Sequence, residues 1–371
     1  MGLDVRGVES AGALEIYITA TPRSHSSISQ QAKELFPAVA AVLRQHGAWI
    51  CQERVFAPPA SISTLRALRA EAYGDLNDTV EPAWLASVGE SDRIAAVQVH
   101  AVHAAIKARP LSIDGVGLGR AFEQNGCRWV TASGLSSPQA GDAPAQARAT
   151  FEKAEALLRQ VGADLRSVAR TWIFMDNILA WYGQFNQARN SLFIDRGILV
   201  RGDSEGRMPA STGIGVSPAS SAKCAMDLFA VVGGDGLVKR YHAAGKQKSA
   251  YEYGSAFARA ADAKTLAGHA VFVSGTAAID TAGATCHVGD PAGQVQMTLG
   301  NVTAVLNQMG TNVRDVVQAV AYCATSEVKE LFESCWADTL PWPWVVLIGD
   351  VCRDDLLFEV EVTACPGAKK M

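Results

Sequence analysis

Apolar positions recur along this chain in one helical register that is written three times. The stretches QQAKELFPAVAAVLRQHGA from Gln30, QARATFEKAEALLRQVGA from Gln146 and QVQMTLGNVTAVLNQMGT from Gln294 superpose when counted back from Gly47, Gly162 and Gly310. Leu43, Leu158 and Leu306 stand four residues before those glycines, and Val42, Leu157 and Val305 stand five before. Val39, Ala154 and Val302 follow at eight, and Phe36, Phe151 and Leu299 at eleven. This spacing predicts one buried stripe per helix, closed by a glycine where a left-handed cap costs least. Gln31, Gln146 and Gln294 share a further column.

Each predicted helix lies between apolar, β-rich segments. LEIYITA, CRWVTASG and HAVFVSGTAAI precede the three copies, and ICQERVFA, VARTWIFM and VVQAVAYC follow them. A second helix and closing strands complete each unit: IAAVQVHAV, CAMDLFAVV, and WVVLIGDV with LLFEVEVTA. The predicted order is β-β-α-β-α-β-β three times, in units spanning residues 1–110, 111–240 and 241–371. The fold class is α+β, with helices covering one face of each mixed sheet. A lone unit would leave the other sheet face in water. Three units bury those faces against each other about a pseudo-threefold axis, sheets inside and helices outside. The expected state is a monomer with an internal pseudo-trimer, or a weak homo-oligomer.

Composition narrows the functional classes. Of 371 residues, 49% are apolar and 19% charged, the balance of a packed globular chain. Lys and Arg number 33 against 37 Asp and Glu, for a net charge of −4, and neither sign gathers into blocks that would follow a phosphate backbone, so no nucleic-acid partner is expected. Eight cysteines without a C-x-x-C pair indicate neither a zinc site nor a disulfide framework, as expected for a reduced, cytoplasmic protein. The start MGLDVRGVES lacks an apolar leader core, and no apolar run approaches the ~18 residues of a membrane span. His100 and His103 fall on opposite faces of a predicted strand, Cys286-His287 has no second pair, and the G-V-G-L-G from Gly115 lacks dinucleotide-loop spacing. Neither metal nor cofactor is expected.

A set of motifs is more specific. S-G-T-A-A-I-D (Ser274 to Asp280), G-D-P-A-G-Q (Gly289 to Gln294), the L-x-N at Leu299 and D-D-L-L-F-E-V-E (Asp354 to Glu361) resemble the RidA/YjgF superfamily. R-T-W (Arg170 to Trp172), Y-G-Q-F-N-Q-A-R (Tyr182 to Arg189), M-P-A-S-T-G-I-G (Met208 to Gly215), F-A-R-A (Phe257 to Ala260) and V-C-R-D-D-L-L-F-E-V-E (Val351 to Glu361) resemble its chorismatase branch, including 3-hydroxybenzoate synthases. The resemblance spans roughly residues 112 to 365. It implies three RidA-like units, ligand sites between units and a small-molecule carboxylate as substrate. Two departures stand out. Trp344 occupies the place, fifteen residues before Glu359, where imine-deaminating members carry a carboxylate-binding arginine, and Gly183 stands where chorismatases usually have Arg.

The resemblance implies an enzyme that cleaves the enolpyruvyl ether of chorismate or a relative, releasing pyruvate and a dihydroxycyclohexadiene or hydroxybenzoate in secondary metabolism. Such a reaction needs an acid to protonate a methylene carbon, and Glu359 matches the family's acid. Strand alternation puts Glu359 and Glu361 on one face, so a pair of carboxylates lining a solvated strand is the other reading. Cys352 matches a position that is Cys in branch members forming 3-hydroxybenzoate; it either shapes the pocket, meets an electrophile, or is a buried structural thiol. Arg189 and Arg259 fall on the family's arginines and would bind carboxylates. Tyr182, with Tyr251 or Tyr253, would orient the ring, and the turn at Thr212 and Gly213 would bring N–H groups to a ligand oxygen. The alternative is a RidA-like small-molecule binder or imine-processing protein with altered chemistry, in which Trp342 and Trp344 fill a cleft.

Overall fold

The computed structural model describes residues 2–10, 12–23, 26–89, 92–104, 107–124, 126–200, 206–233 and 236–371. The first unit runs β1 (Gly2–Ser10), β2 (Ala13–Thr21), α1 (Ile28–Gln45), β3 (Trp49–Ala57), α2 (Ile62–Tyr73), β4 (Ala83–Ala86) and β5 (Ala96–Ala104). The second runs β6 (Arg109–Ile113), β7 (Val116–Gln124), β8 (Cys127–Leu135), α3 (Ala143–Arg159), β9 (Val168–Met175), α4 (Ile178–Asp195), β10 (Ala210–Ile214) and β11 (Cys224–Val232). The third runs β12 (Val238–Tyr241), β13 (Ala260–Thr265), β14 (Gly268–Ala277), α5 (Pro291–Gln308), β15 (Val316–Cys323), α6 (Ser326–Cys335), β16 (Trp344–Ile348) and β17 (Phe358–Ala364), and β18 (Lys369–Lys370) ends the chain.

Three six-stranded sheets result, ordered β18-β1-β2-β5-β3-β4, β6-β7-β8-β11-β9-β10 and β12-β13-β14-β17-β15-β16. All neighbours are antiparallel except the last pair of each sheet, which is parallel across a helical crossover. The repeat is therefore present in the topology as in the helix register. β6 and β12 each add an outer strand that the hydrophobic pattern did not single out. In the first sheet that place is taken by β18: Lys369 and Lys370 pair with Gly7 and Arg6, so the chain's end closes onto its beginning.

Packing follows from the two-faced sheets. Each of α1, α3 and α5 buries its stripe on its own sheet, giving three separate cores. The opposite faces meet in a fourth core that takes Tyr17 and Phe56 from the first unit, Trp129, Trp172 and Phe229 from the second, and Phe272 and Tyr322 from the third. The shared glutamine column has a common task. In each unit the side-chain oxygen accepts from the backbone N–H just before the closing strand (Ile94, Lys223 or Leu357), at 2.7–2.9 Å. The side-chain NH2 donates to carbonyls of the loops around it (Asp92, Gly141 or Asp355). One amide thus ties the start of each helix to the sheet, satisfying groups that burial would otherwise orphan.

Charges cross the seams between units. Arg54 of β3 pairs with Asp227 of β11 at 2.7 Å, with both side chains buried, and its guanidinium lies 4.0 Å above the Trp172 ring. Arg170 of β9 pairs with Glu361 of β17 at 2.6 Å, and Tyr322 donates to the second oxygen of that carboxylate. Removing one partner of such a pair leaves the other charge buried and uncompensated. Asp227→Ala is expected to lower unfolding stability by about 3–5 kcal/mol, measured by chemical denaturation. Unchanged stability would show that the first seam does not depend on this pair.

Candidate functional site

The cleft between the second and third units holds a cavity of about 190 Å³. On α4, Tyr182, Asn186 and Arg189 lie at i, i+4 and i+7, one helix face, and point into it. The edge strand β10 contributes Ser211 and Gly213. The third unit supplies Tyr253, Ser255, Phe257 and Arg259 from the approach to β13, and Gly275 and Ala277 from β14. The loop between β16 and β17 brings Cys352 and Arg353, and Glu359 rises from β17. Among the described residues no group of three or more His, Cys, Asp or Glu side chains is arranged to hold a metal ion, and no helix is long and apolar enough to cross a membrane.

Two buried guanidinium groups face this cavity without a carboxylate partner among the described residues. Arg189, 3% exposed, donates to Asn186 Oδ1 at 2.6 Å, while its Nε has no partner. Arg259, 2% exposed, donates through Nε to the Lys248 carbonyl at 3.0 Å and through Nη2 to the Tyr253 hydroxyl. Phe257 lies between them, its ring centroid 5.9 Å from the Arg189 guanidinium carbon and 5.3 Å from that of Arg259. Burial lowers the pKa of Arg189. A buried cation with an open donor is costly unless an anion completes it.

Glu359 is the carboxyl of the site. It is 5% exposed, and burial, reinforced by the neighbouring Glu361 charge, pushes its pKa up to about 8 against the pull of Arg259 and Arg170. It is therefore a neutral acid at pH 7. Glu361, two residues on, does not line the cavity; it is held by Arg170 and Tyr322 in the central core. The solvated strand face offered by the sequence is thus absent, because β17 is covered on both sides. The Cys352 thiol is pushed up to about 12 by burial and the adjacent Glu359, which keeps it protonated. The Tyr182 hydroxyl, likewise raised to about 12 by burial, lies 3.5 Å from Ser255 Oγ.

Of the residues singled out in the sequence, Glu359, Cys352, Arg189, Arg259, Tyr182, Tyr253 and Gly213 share this cavity. Thr212 does not line it: its Oγ1 accepts from Arg170 at 2.6 Å and from the Gly275 N–H at 3.0 Å, which ties the start of the turn to the network behind Glu359. Tyr251 is a correction. It is 43% exposed and outside the cavity, because it shares a 3₁₀ turn with Tyr253, and three residues per turn carry the two side chains to different sides. Trp344 packs against Phe332 of α6 and against Trp342, and it lines a separate cleft facing the first unit, so neither tryptophan fills this site. Gly183 does not line the cavity, and a Cβ there would meet nothing within 4 Å. Sequence reasoning missed Asn186, Ser211, Ser255, Gly275 and Arg353. Asn186, Ser211, Gly275 and Arg353 lie inside motifs that carried the resemblance; only their side of the element was unknown.

Gly275 has a specific reason to lack a side chain. A Cβ there would collide with Glu359 Oε1, lie 2.9 Å from its Cδ and 3.1 Å from Thr212 Cγ2. Gly275→Ala is expected to leave the fold intact by circular dichroism while displacing the carboxyl, so that its titration, followed by NMR, moves away from about 8. An unmoved titration in that variant would mean that the glycine does not set the position of Glu359.

Comparisons with known proteins agree with this architecture. Residues 255–365 match the Endoribonuclease L-PSP family model. A crystal structure of a chorismatase aligns over 98% of this chain and 100% of its own, at 18% identity and TM-score 0.62. A putative endoribonuclease from Thermotoga maritima aligns over 34% of this chain and 96% of its own, at 22% identity and TM-score 0.27. The YjgF gene product of E. coli aligns over 30% of this chain and 87% of its own, at 21% identity and TM-score 0.24. No curated protein matches the sequence. The third unit thus carries the match to that family model, and over its whole length the chain shares the fold of the chorismatase crystal structure.

Proposed function

We propose that the cleft between the second and third units hydrolyses the enolpyruvyl ether of chorismate or a closely related carboxylate. One observation carries the reading: a buried Glu359, its pKa pushed up to about 8 by burial, shares a small cavity with two buried arginines that have no carboxylate of their own. The ligand then brings the carboxylates. At about 190 Å³ the cavity is smaller than the ~300–1,000 Å³ of drug-sized sites, which suits a compact acid. The full-length likeness to a chorismatase fold supports the same reading.

In this mechanism Arg189 and Arg259 each take a carboxylate by charge-assisted hydrogen bonds. Glu359 transfers its proton to the terminal methylene carbon, which becomes a methyl group and leaves an oxocarbenium ion at the ether carbon. Water adds there and returns a proton to the Glu359 carboxylate. The hemiketal then breaks its bond to the ring oxygen, which takes up the proton, giving pyruvate and a ring alcohol. Loss of the Arg259 charge near Glu359 would make it a weaker acid, so Arg259 serves both binding and proton transfer. Cys352, held as a thiol, shapes the wall beside the ring.

Incubation with chorismate is expected to release pyruvate, and Glu359→Gln is expected to cut turnover roughly 10²–10⁴-fold while ligand binding survives. Full turnover by Glu359→Gln would remove the acid from the mechanism. Wild-type turnover is expected to fall as pH rises through about 8, where the acid loses its proton. The sign for stability is the same. The folded pKa lies above the unfolded one, so the neutral carboxyl's contribution is complete below about 4.5 and is lost as pH rises through about 8, a loss absent from Glu359→Gln. Cys352→Ala is expected to keep pyruvate release and change only the ring product, read by chromatography; loss of pyruvate release in a folded variant would give the thiol a direct part in ether cleavage.

A further inference from the structure

A second cleft, of about 510 Å³, opens elsewhere on the seam between the second and third units and shares no lining residue with the Glu359 cavity. Its walls are the turn between α3 and β9 and the start of β12, and polar groups dominate them. Three guanidinium groups meet there: Arg166, Arg207 and Arg240. The facing carboxylate is Asp164, and Arg166 already engages it through Nε at 2.9 Å. Arg240 donates one nitrogen to the carbonyls of Arg166 and Val168, at 2.9 and 2.8 Å, and its buried Nε has no partner. Arg207 forms no ion pair or side-chain hydrogen bond among the described residues.

Among the described residues, three cations in the cleft face one carboxylate. The crowding is felt by the residues themselves, since burial and the Arg207 charge push the pKa of Arg240 down to about 10. Like charges held together in a polar cleft are stabilised by an anion that accepts from both. We propose that this cleft binds a small oxyanion carrying at least two negative charges, a phosphate ester or a polycarboxylate, between Arg207 and Arg240. The bound anion accepts from the guanidinium groups of Arg207 and Arg240, and Ser167 adds a neutral donor at the wall.

Calorimetric titration of the full chain with pyrophosphate and with citrate, at constant ionic strength set by sodium chloride, tests this. Saturable binding of at least one probe is expected, weakened about tenfold or more in Arg207→Gln and retained in Arg189→Gln. Arg207 is exposed, so its variant is expected to fold as the parent does. Tighter binding of pyrophosphate identifies the ligand class as a phosphate compound, and tighter binding of citrate identifies a polycarboxylate. Absence of saturable binding, equal affinity in Arg207→Gln, or binding lost in Arg189→Gln but not in Arg207→Gln would overturn the proposal, the last by assigning the anion to the Glu359 cavity.

Discussion

A sheet with helices on one side has a second face that must leave water, and everything distinctive about this chain follows from how that face is covered. Each unit buries one face under α1, α3 or α5, and none has a second helix layer to cover the other. The three bare faces therefore meet around a common core of aromatic residues drawn from all units. Covalent linkage makes the encounter intramolecular, which removes the concentration dependence that a trimer of single units would carry. The pairing of β18 with β1 seals the last seam, so the chain's first and last strands share one sheet.

Enclosure of this kind concentrates polar groups at the seams, where their partners must come from another unit. The Arg170–Glu361 pair does more than bridge two sheets. Arg170 also donates to Thr212, Thr212 accepts from the Gly275 peptide, and Gly275 leaves room for the Glu359 carboxyl. Glu361, kept close to Arg170, adds its charge to the burial that keeps Glu359 protonated. Position and protonation of the candidate acid are thus set by one interunit network.

The three seams are alike in topology and unlike in chemistry. Glu359 lies opposite Tyr322, the penultimate residue of β15; the matching places opposite Phe174 and Phe56 hold Ala225 and Ala96. An alanine can neither donate a proton nor charge, so the acid exists in the third unit's cleft and not at its two counterparts. Repetition built the fold, and divergence at a few positions placed the buried carboxyl of Glu359 in one cleft.

Much of this was legible in the sequence because it is periodic or local. The helix stripe, the closing glycines, the glutamine column and the three-unit order depend on residues within one helix or its flanking turns, and such patterns survive reading one residue at a time. Motif spacing further marked Glu359, Cys352, Arg189 and Arg259. What tertiary structure alone decided was which side of an element faces which unit. Arg170 and Glu361 stand 191 residues apart, and no local pattern announces that they meet. The same holds for Tyr253 turning inward while Tyr251 turns to solvent, and for Trp344 facing a different seam. Period and turn propensity are properties of neighbours in the chain; burial, partner choice and the raised pKa of Glu359 arise from neighbours in space, once three sheet faces have closed on one another.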